Sequence, residues 1–353
     1  MFKFHEQSFT DAKRSACHFD PTFGQTNAIK PLLGFLQKPG SNLSALGERP
    51  NMRLEQHGRY DYVPIIERPD YSWPDGKRLA FYVALNVEHF TFGEGIGHTP
   101  TSLSPAPDPR NFGWRDYGLR VGIWRIFDLM DALGLPMCHL LNASVCEYAP
   151  QIPRRIAARN DEVVGHGRTN SERQNAYGEA GEAALIREAT DVLSATFGRA
   201  PRGWMGPWIA ESVNTPDLLR EAGYSYVMDW PADDQPFWMR TRSGPILSVP
   251  YPIEINDSPA MLSRMQPATD FAQMIRDQFT TMLRLSEAQP LVCGIALHTF
   301  CVGQPFRLAQ LENALRFVLE HPSFAERVWV TTPGEIAAYA AGLPRGTVSG
   351  DSG

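Results

Sequence analysis

The sequence predicts a parallel α/β architecture, closed or nearly closed into a barrel, and three observations carry that expectation. Strand-like and helix-like segments alternate over about 280 residues, the pattern of repeated strand–helix units. The first strand candidate, Leu79–Val87 (LAFYVALNV), is apolar almost throughout, as a strand covered on both faces must be. No G-x-G-x-x-G follows that strand, which argues against the alternative of a doubly wound open sheet built to bind a dinucleotide. Seven or eight such units suit a barrel.

The elements follow in order. A helix is expected over 117–133, where Val121, Trp124, Phe127, Met130 and Leu133 recur every three residues and Gly134 can cap the end. A strand at 137–142, a short helix from about Pro150, a short strand at 162–165 and a long helix from Glu179 to Phe197, closed by Gly198, come next. Pro201 to Met205 reads as a short strand, and Thr215-Pro216 as an N-cap with a first-turn proline. Gly223 ends that helix, and strands are expected at 224–228 and 245–249. Thr269-Asp270 opens a helix whose Phe271, Met274, Ile275, Phe279, Met282 and Leu283 share one face. A strand at 291–297, a helix at 307–319 and a strand at 327–330 lead to Thr332-Pro333-Gly334-Glu335, which has the form of a capping box.

This barrel is expected to occupy residues 58–345. Residues 1–57 carry scattered Gly, Pro, Ser and Asn with no period and read as a partly irregular arm. Residues 346–353 are rich in Gly, Ser and Asp and read as a flexible tail.

Composition narrows the function classes. Apolar residues make up 43% and charged residues 20%, ample for a core. A net charge of −6 without a basic run argues against nucleic-acid binding and leaves a small molecule as the expected partner. No run of about 18 apolar residues exists to cross a membrane. Lys3, His5, Glu6, Asp11, Lys13 and Arg14 interrupt any secretory h-region, so a cytoplasmic location is expected. The five cysteines include no C-x-x-C and read as reduced thiols.

Residues capable of chemistry fall just after the strands. They include Asn86, Glu88 and His89; Asn142 and Ser144; the run Gly165-His166-Gly167-Arg168-Thr169-Asn170-Ser171-Glu172; Trp204; Asp229 and Trp230; Tyr251 and Glu254; and His298. In a parallel barrel the C-terminal strand ends share one face, so these residues can meet despite their separation in sequence. Adjacent residues of a strand point to opposite faces, so only one of Glu88 and His89 can face the pocket; Glu88 is preferred because Asn86 shares its face. His166 between two glycines suits either a turn or a ligand approaching the backbone. Asp229 reads evenly as a functional residue or as one that only orients a neighbour or caps a helix, and Asp233 and Asp234 read as loop or capping residues. His98, His139 and His321 carry no motif and are expected to be structural or exposed.

Several of these stretches are long and unusual: LNVEHF (85–90), WRDYGLRVGIWR (114–125), GHGRTNSE (165–172), GWMGPW (203–208), DW (229–230) with DDQP (233–236), PYPIEIND (250–257) and LHTF (297–300). From about Arg68 to Leu343 the chain resembles polysaccharide deacetylases of the NodB-homology type. Within them it is most similar to the branch holding metal-independent allantoinases and cyclic imide hydrolases. The resemblance implies a distorted (β/α) barrel of seven or eight strands. In metal-dependent members a D-x-D-like motif supplies a base and a ligand, an H-x-x-x-H motif two ligands, and a late histidine the general acid. Those positions fall here on Asn86, Glu88, His166, Asn170 and His298, with Met205 where many members carry an arginine. Asn86 cannot accept a proton as a carboxylate does, and Asn170 is a poorer zinc ligand than imidazole. The resemblance therefore implies either no cofactor or one divalent metal (Zn, Mn or Ni) held by Glu88, His166 and Asn170, and a homodimer or homotetramer.

The expected reaction is hydrolysis of a non-peptide C–N bond in a small amide, cyclic imide or ureide. Glu88 would orient or deprotonate water, His298 would protonate the leaving nitrogen, and Asn86 would stabilise the oxyanion. Asp229 is placed with the catalytic set, Trp204 and Trp230 are expected to wall the pocket, and Arg168 and Glu254 to contact substrate. The alternatives are a metal-dependent N-acetyl sugar deacetylase and a barrel that binds a small molecule without turning it over.

Overall fold

The computed structural model describes residues 54–93, 95–101 and 105–351. Nine strands lie in one sheet: β1 Leu79–Val87, β2 Cys138–Leu141, β3 Glu162–Gly165, β4 Gly203–Trp204, β5 Tyr226–Val227, β6 Phe237–Met239, β7 Ile246–Ser248, β8 Leu291–His298 and β9 Val328–Val330. The order is β6-β7-β5-β4-β3-β2-β1-β8, with β9 beside the first half of β1. Every named pairing is parallel except β6 with β7. The sheet curls into a distorted barrel with helices outside, and all eight expected strands are present. The ninth, β6, was not expected because three residues are too few to display an alternation.

The parity of β1 shows how the site is positioned. Leu79, Phe81, Val83, Leu85 and Val87 join the core shared with the surrounding helices. Ala80, Tyr82 and Ala84 join the core inside the barrel, with Leu140, Val164, Met205, Tyr226, Met228 and Leu247 from neighbouring strands. Continuing that alternation carries Asn86 and Glu88 to the inner face at the C-terminal strand ends.

The helices follow the sequence pattern with three departures. The helix expected at 117 begins at Pro109, because the Asp108 side chain caps the Asn111 N–H, and it reaches Leu133 through a π-helical stretch, Gly118–Gly122. Thr215 lies inside its helix, Thr215–Glu221, with Asn214 at the cap position. Thr332 precedes Pro333–Ala341 but makes no side-chain cap bond, and Glu335 accepts from Thr331 Oγ1 instead at 2.7 Å. Glu179–Phe197 has the expected limits, and Gly134 and Gly198 adopt φ of 65° and 70° as left-handed stops. The π-helical stretch packs against Thr299–Val302 so closely that a Cβ on Gly122 would collide with the Thr299 carbonyl.

Gln56 onward forms one compact unit, and nearly all of the expected arm lies outside the described residues. Residues 346–351, expected to fray, instead pair along β6: Ser349 bridges Phe237 and accepts from the Trp238 N–H at 2.7 Å. Cys138, Cys146, Cys293 and Cys301 are free thiols. Among the described residues no helix is long and apolar enough to cross a membrane.

Candidate active site

At the C-terminal ends of the strands lies a cavity of about 270 Å³ lined by Asn86, Glu88, His98, His166, Asn170, Trp208, Tyr251 and His298, among others. The three residues expected to converge, Glu88, His166 and His298, do so. Glu88 Oε1 is 3.6 Å from His298 Nε2 and 3.7 Å from His166 Nε2, too far for hydrogen bonds and close enough for strong electrostatic coupling.

Each imidazole is held from behind. His298 donates its backbone N–H to Asp257 Oδ2 at 2.9 Å and its Nδ1–H to Asp257 Oδ1 at 2.7 Å, leaving Nε2 for the cavity. Burial alone would lower the His298 pKa, but the Glu88 and Asp257 carboxylates outweigh it and hold the imidazole above its ordinary value. His166 donates Nδ1–H to the Met205 carbonyl at 2.6 Å, and its Nε2 is buried and without a partner. Burial opposes ionisation of Glu88, yet His298, His166 and His98 together hold its carboxyl below the usual range. Glu88 is therefore favoured as an anion, and its charge in turn favours the protonated form of His298.

His98, expected to be structural or exposed, belongs to this site. It sits on the long connection after β1, its ring 4.7 Å from that of Trp208 and 5.9 Å from that of His298. Burial lowers its pKa to about 4, so it is neutral at physiological pH. No local motif marks it, since that connection carries no periodicity. Asp257 closes the stretch PYPIEIND, nine residues past the end of β7, and its place in that unusual stretch was the available signal.

Several expected substrate contacts are corrected. Trp204 is fully buried on the outer side of the sheet, edge-on to Tyr224, and its Nε1 donates to Gln174. Trp208 takes the wall position instead. Its Nε1 donates to the Asn170 carbonyl at 3.0 Å, and both Trp208 and Ile209 adopt left-handed φ of 66° and 52°. Trp230 packs on Tyr60 and donates to Glu211, away from the cavity. Arg168 is paired with Glu172 and Glu188 at the surface, and Glu254 is exposed beside Arg264.

Asp229 lies behind the cavity. Its Oδ1 accepts the Gly206 N–H at 2.8 Å, and the carbonyl of that same peptide, Met205–Gly206, is the one that holds His166. Asp229 is thus a positioning residue for the imidazole. Burial and the neighbouring Glu211 push its carboxyl well up, and burial brings Glu211 up to about 7, so the two carboxyls retain a proton between them.

Two carboxamides differ from expectation. Asn86 spends both Nδ2 hydrogens, on the Leu297 carbonyl and the Tyr251 hydroxyl at 3.0 Å each, and so offers the cavity an oxygen rather than an oxyanion donor. Asn170 turns its Oδ1 to Asn142 Nδ2 at 3.3 Å, leaving Nδ2 buried and unpartnered. An –NH₂ cannot ligate a cation, so Asn170 does not complete a metal set with Glu88 and His166. Among the described residues Glu88, His98 and His298 offer ligand atoms within 4.8 Å of one another. With the unpartnered Nε2 of His166 3.7 Å from Glu88 Oε1, this imidazole-rich donor set fits a divalent transition metal.

The same architecture occurs in known proteins. The chain is 24% identical over 314 residues to a protein of Schizosaccharomyces pombe described as a "Putative polysaccharide deacetylase", covering 80% of this chain and 95% of that one. The crystal structure of PuuE allantoinase superimposes with a TM-score of 0.71 at 27% identity, covering 80% of this chain and 99% of that one. The chain is thus similar in sequence and fold to polysaccharide deacetylases and to an allantoinase. The crystal structure of a "probable Polysaccharide deacetylase" from Pseudomonas aeruginosa PAO1 gives a TM-score of 0.68 at 25% identity, covering 78% of this chain and 97% of that one. No family model matches the chain.

Proposed function

We propose that this chain hydrolyses a C–N bond other than a peptide bond in a small amide, cyclic imide or ureide. The observation that carries the reading is the Glu88–His298–Asp257 arrangement opening into a cavity of about 270 Å³. That volume suits a compact ring better than a sugar chain, which needs an open groove. Glu88, ionised, orients and deprotonates a water for attack on the carbonyl carbon. His298, its Nδ1–H fixed by Asp257, carries the Nε2 proton that the leaving nitrogen takes as the tetrahedral intermediate collapses. Trp208 supplies a flat apolar wall beside the reacting carbonyl. Glu88 with His98, His166 and His298 are the residues that would hold a divalent ion, which would supply Lewis-acid polarisation of the carbonyl.

A panel of hydantoins, cyclic imides, allantoin and N-acetyl amino sugars, each assayed with and without added Zn, Mn or Ni, tests the reading. Hydrolysis of one of the small cyclic compounds is expected. Acetate release from N-acetyl sugars alone would replace it with a deacetylase, and no turnover of any compound would leave a binding barrel.

A further inference from the structure

Resting on the C–N hydrolase reading, we infer that the cavity reads a –C(=O)–N(H)– unit from both ends, Asn86 accepting from its N–H and Asn170 donating to its carbonyl oxygen. The orientation of each carboxamide is fixed by backbone groups, which have no alternative polarity. Asn142 Oδ1 accepts from the His89 backbone N–H at 2.9 Å, and its Nδ2 donates to the His166 carbonyl. Asn142 therefore has only N–H to offer Asn170, whose Oδ1 must face it. The Asn170 –NH₂ remains, on a residue with 0% exposure whose Nδ2 has no partner, lining the cavity. An unmet buried donor of this kind is costly, and a ligand oxygen would satisfy it. At Asn86 the Leu297 carbonyl dictates the reverse polarity, since a flipped amide would set oxygen against oxygen.

The register supports the direction of binding. Asn86 is the cross-strand partner of His298, so the acceptor and the imidazole that protonates nitrogen lie side by side. Asn170 follows His166 by four residues on the β3 connection, placing the carbonyl donor with the other imidazole. A substrate nitrogen bearing a hydrogen is thereby preferred over an ester oxygen or a fully substituted nitrogen, because oxygen lone pairs would meet the Asn86 Oδ1. Sites built to bond an N–H reject analogues lacking it far more strongly than apolar pockets reject a change of size.

Ligand-observed NMR titration with 2-pyrrolidinone and γ-butyrolactone tests this, the two rings having nearly one shape and differing in N–H against O. The wild-type chain is expected to bind the lactam about tenfold or more tightly than the lactone. Asn86→Leu should bring that ratio to about one, while Asn170→Leu should weaken both ligands by a common factor and leave the ratio standing. Melting curves establish that each variant is folded, and the wild-type comparison needs no variant. Equal affinities, or no saturable binding of the lactam, would overturn the inference. Turnover in the substrate panel without a lactam preference removes this inference alone; a lactam preference without turnover removes the hydrolase reading alone.

Discussion

Asp257 grips His298 through two bonds, one to the backbone and one to the ring, so the imidazole can neither rotate nor exchange tautomers freely. Asp257→Asn replaces one accepting oxygen with a donor. We expect kcat/KM to fall by about 10²–10⁴-fold, as when a general acid is lost or misoriented. The sign of the accompanying pH shift follows from the causes: burial lowers the His298 pKa and the carboxylates raise it, so removing one carboxylate moves the basic limb of the pH–rate profile to lower pH. A basic limb that stays in place would show that His298 is not the proton donor. At this scale the site was partly legible. Strand parity selected Glu88 and Asn86 over His89, which turns away to stack on Tyr148. The same parity, applied to β4, would have rejected Trp204, because its register partner Gly165 precedes the inward His166 by one residue. His98 was not legible, since nothing local says where a long connection folds back.

Among the elements, the π-helical stretch Gly118–Gly122 lies in close contact with the short helix Thr299–Val302 that follows directly from His298. The obstacle to a larger residue at 122 is a backbone carbonyl, which cannot swing aside as a side chain would. Gly122→Ala is expected to destabilise the protein by about 3 kcal/mol or more in denaturant unfolding. Gly113→Ala, in the preceding helical segment Pro109–Tyr117 where a Cβ meets nothing within 4 Å, should be neutral or stabilising by up to about 1 kcal/mol. Equal effects at the two glycines would remove the packing argument. Long helices and β1 were legible because their periods repeat. The π-helical joint and β6 were not, because one depends on a tertiary contact and the other is shorter than the repeat that would announce it.

For the molecule as a whole, the Asp229–Glu211 pair makes stability depend on pH in an uncommon direction. Both folded-state values are raised, so the stabilisation is complete below the unfolded values of 3.8 and 4.5 and is lost as pH rises through the folded ones, about 7 for Glu211. The unfolding free energy of the wild type, from denaturant melts, should therefore fall between about pH 5 and 8 relative to Glu211→Gln, the gap reaching on the order of a few kcal/mol. Parallel curves for the two proteins would show that the carboxyls do not share a proton. The barrel was legible at this scale from alternation alone, whereas this pair was not, because residues 211 and 229 are joined only by the curl of the sheet.

The Met205–Gly206 peptide stands between that pair and the cavity, its oxygen inward to His166 and its hydrogen outward to Asp229. A single rigid amide plane thus threads the barrel wall. Any change in the proton inventory of that buried pair acts on one end of a dipole whose other end holds an active-face imidazole, so the two are linked without one side chain crossing between them.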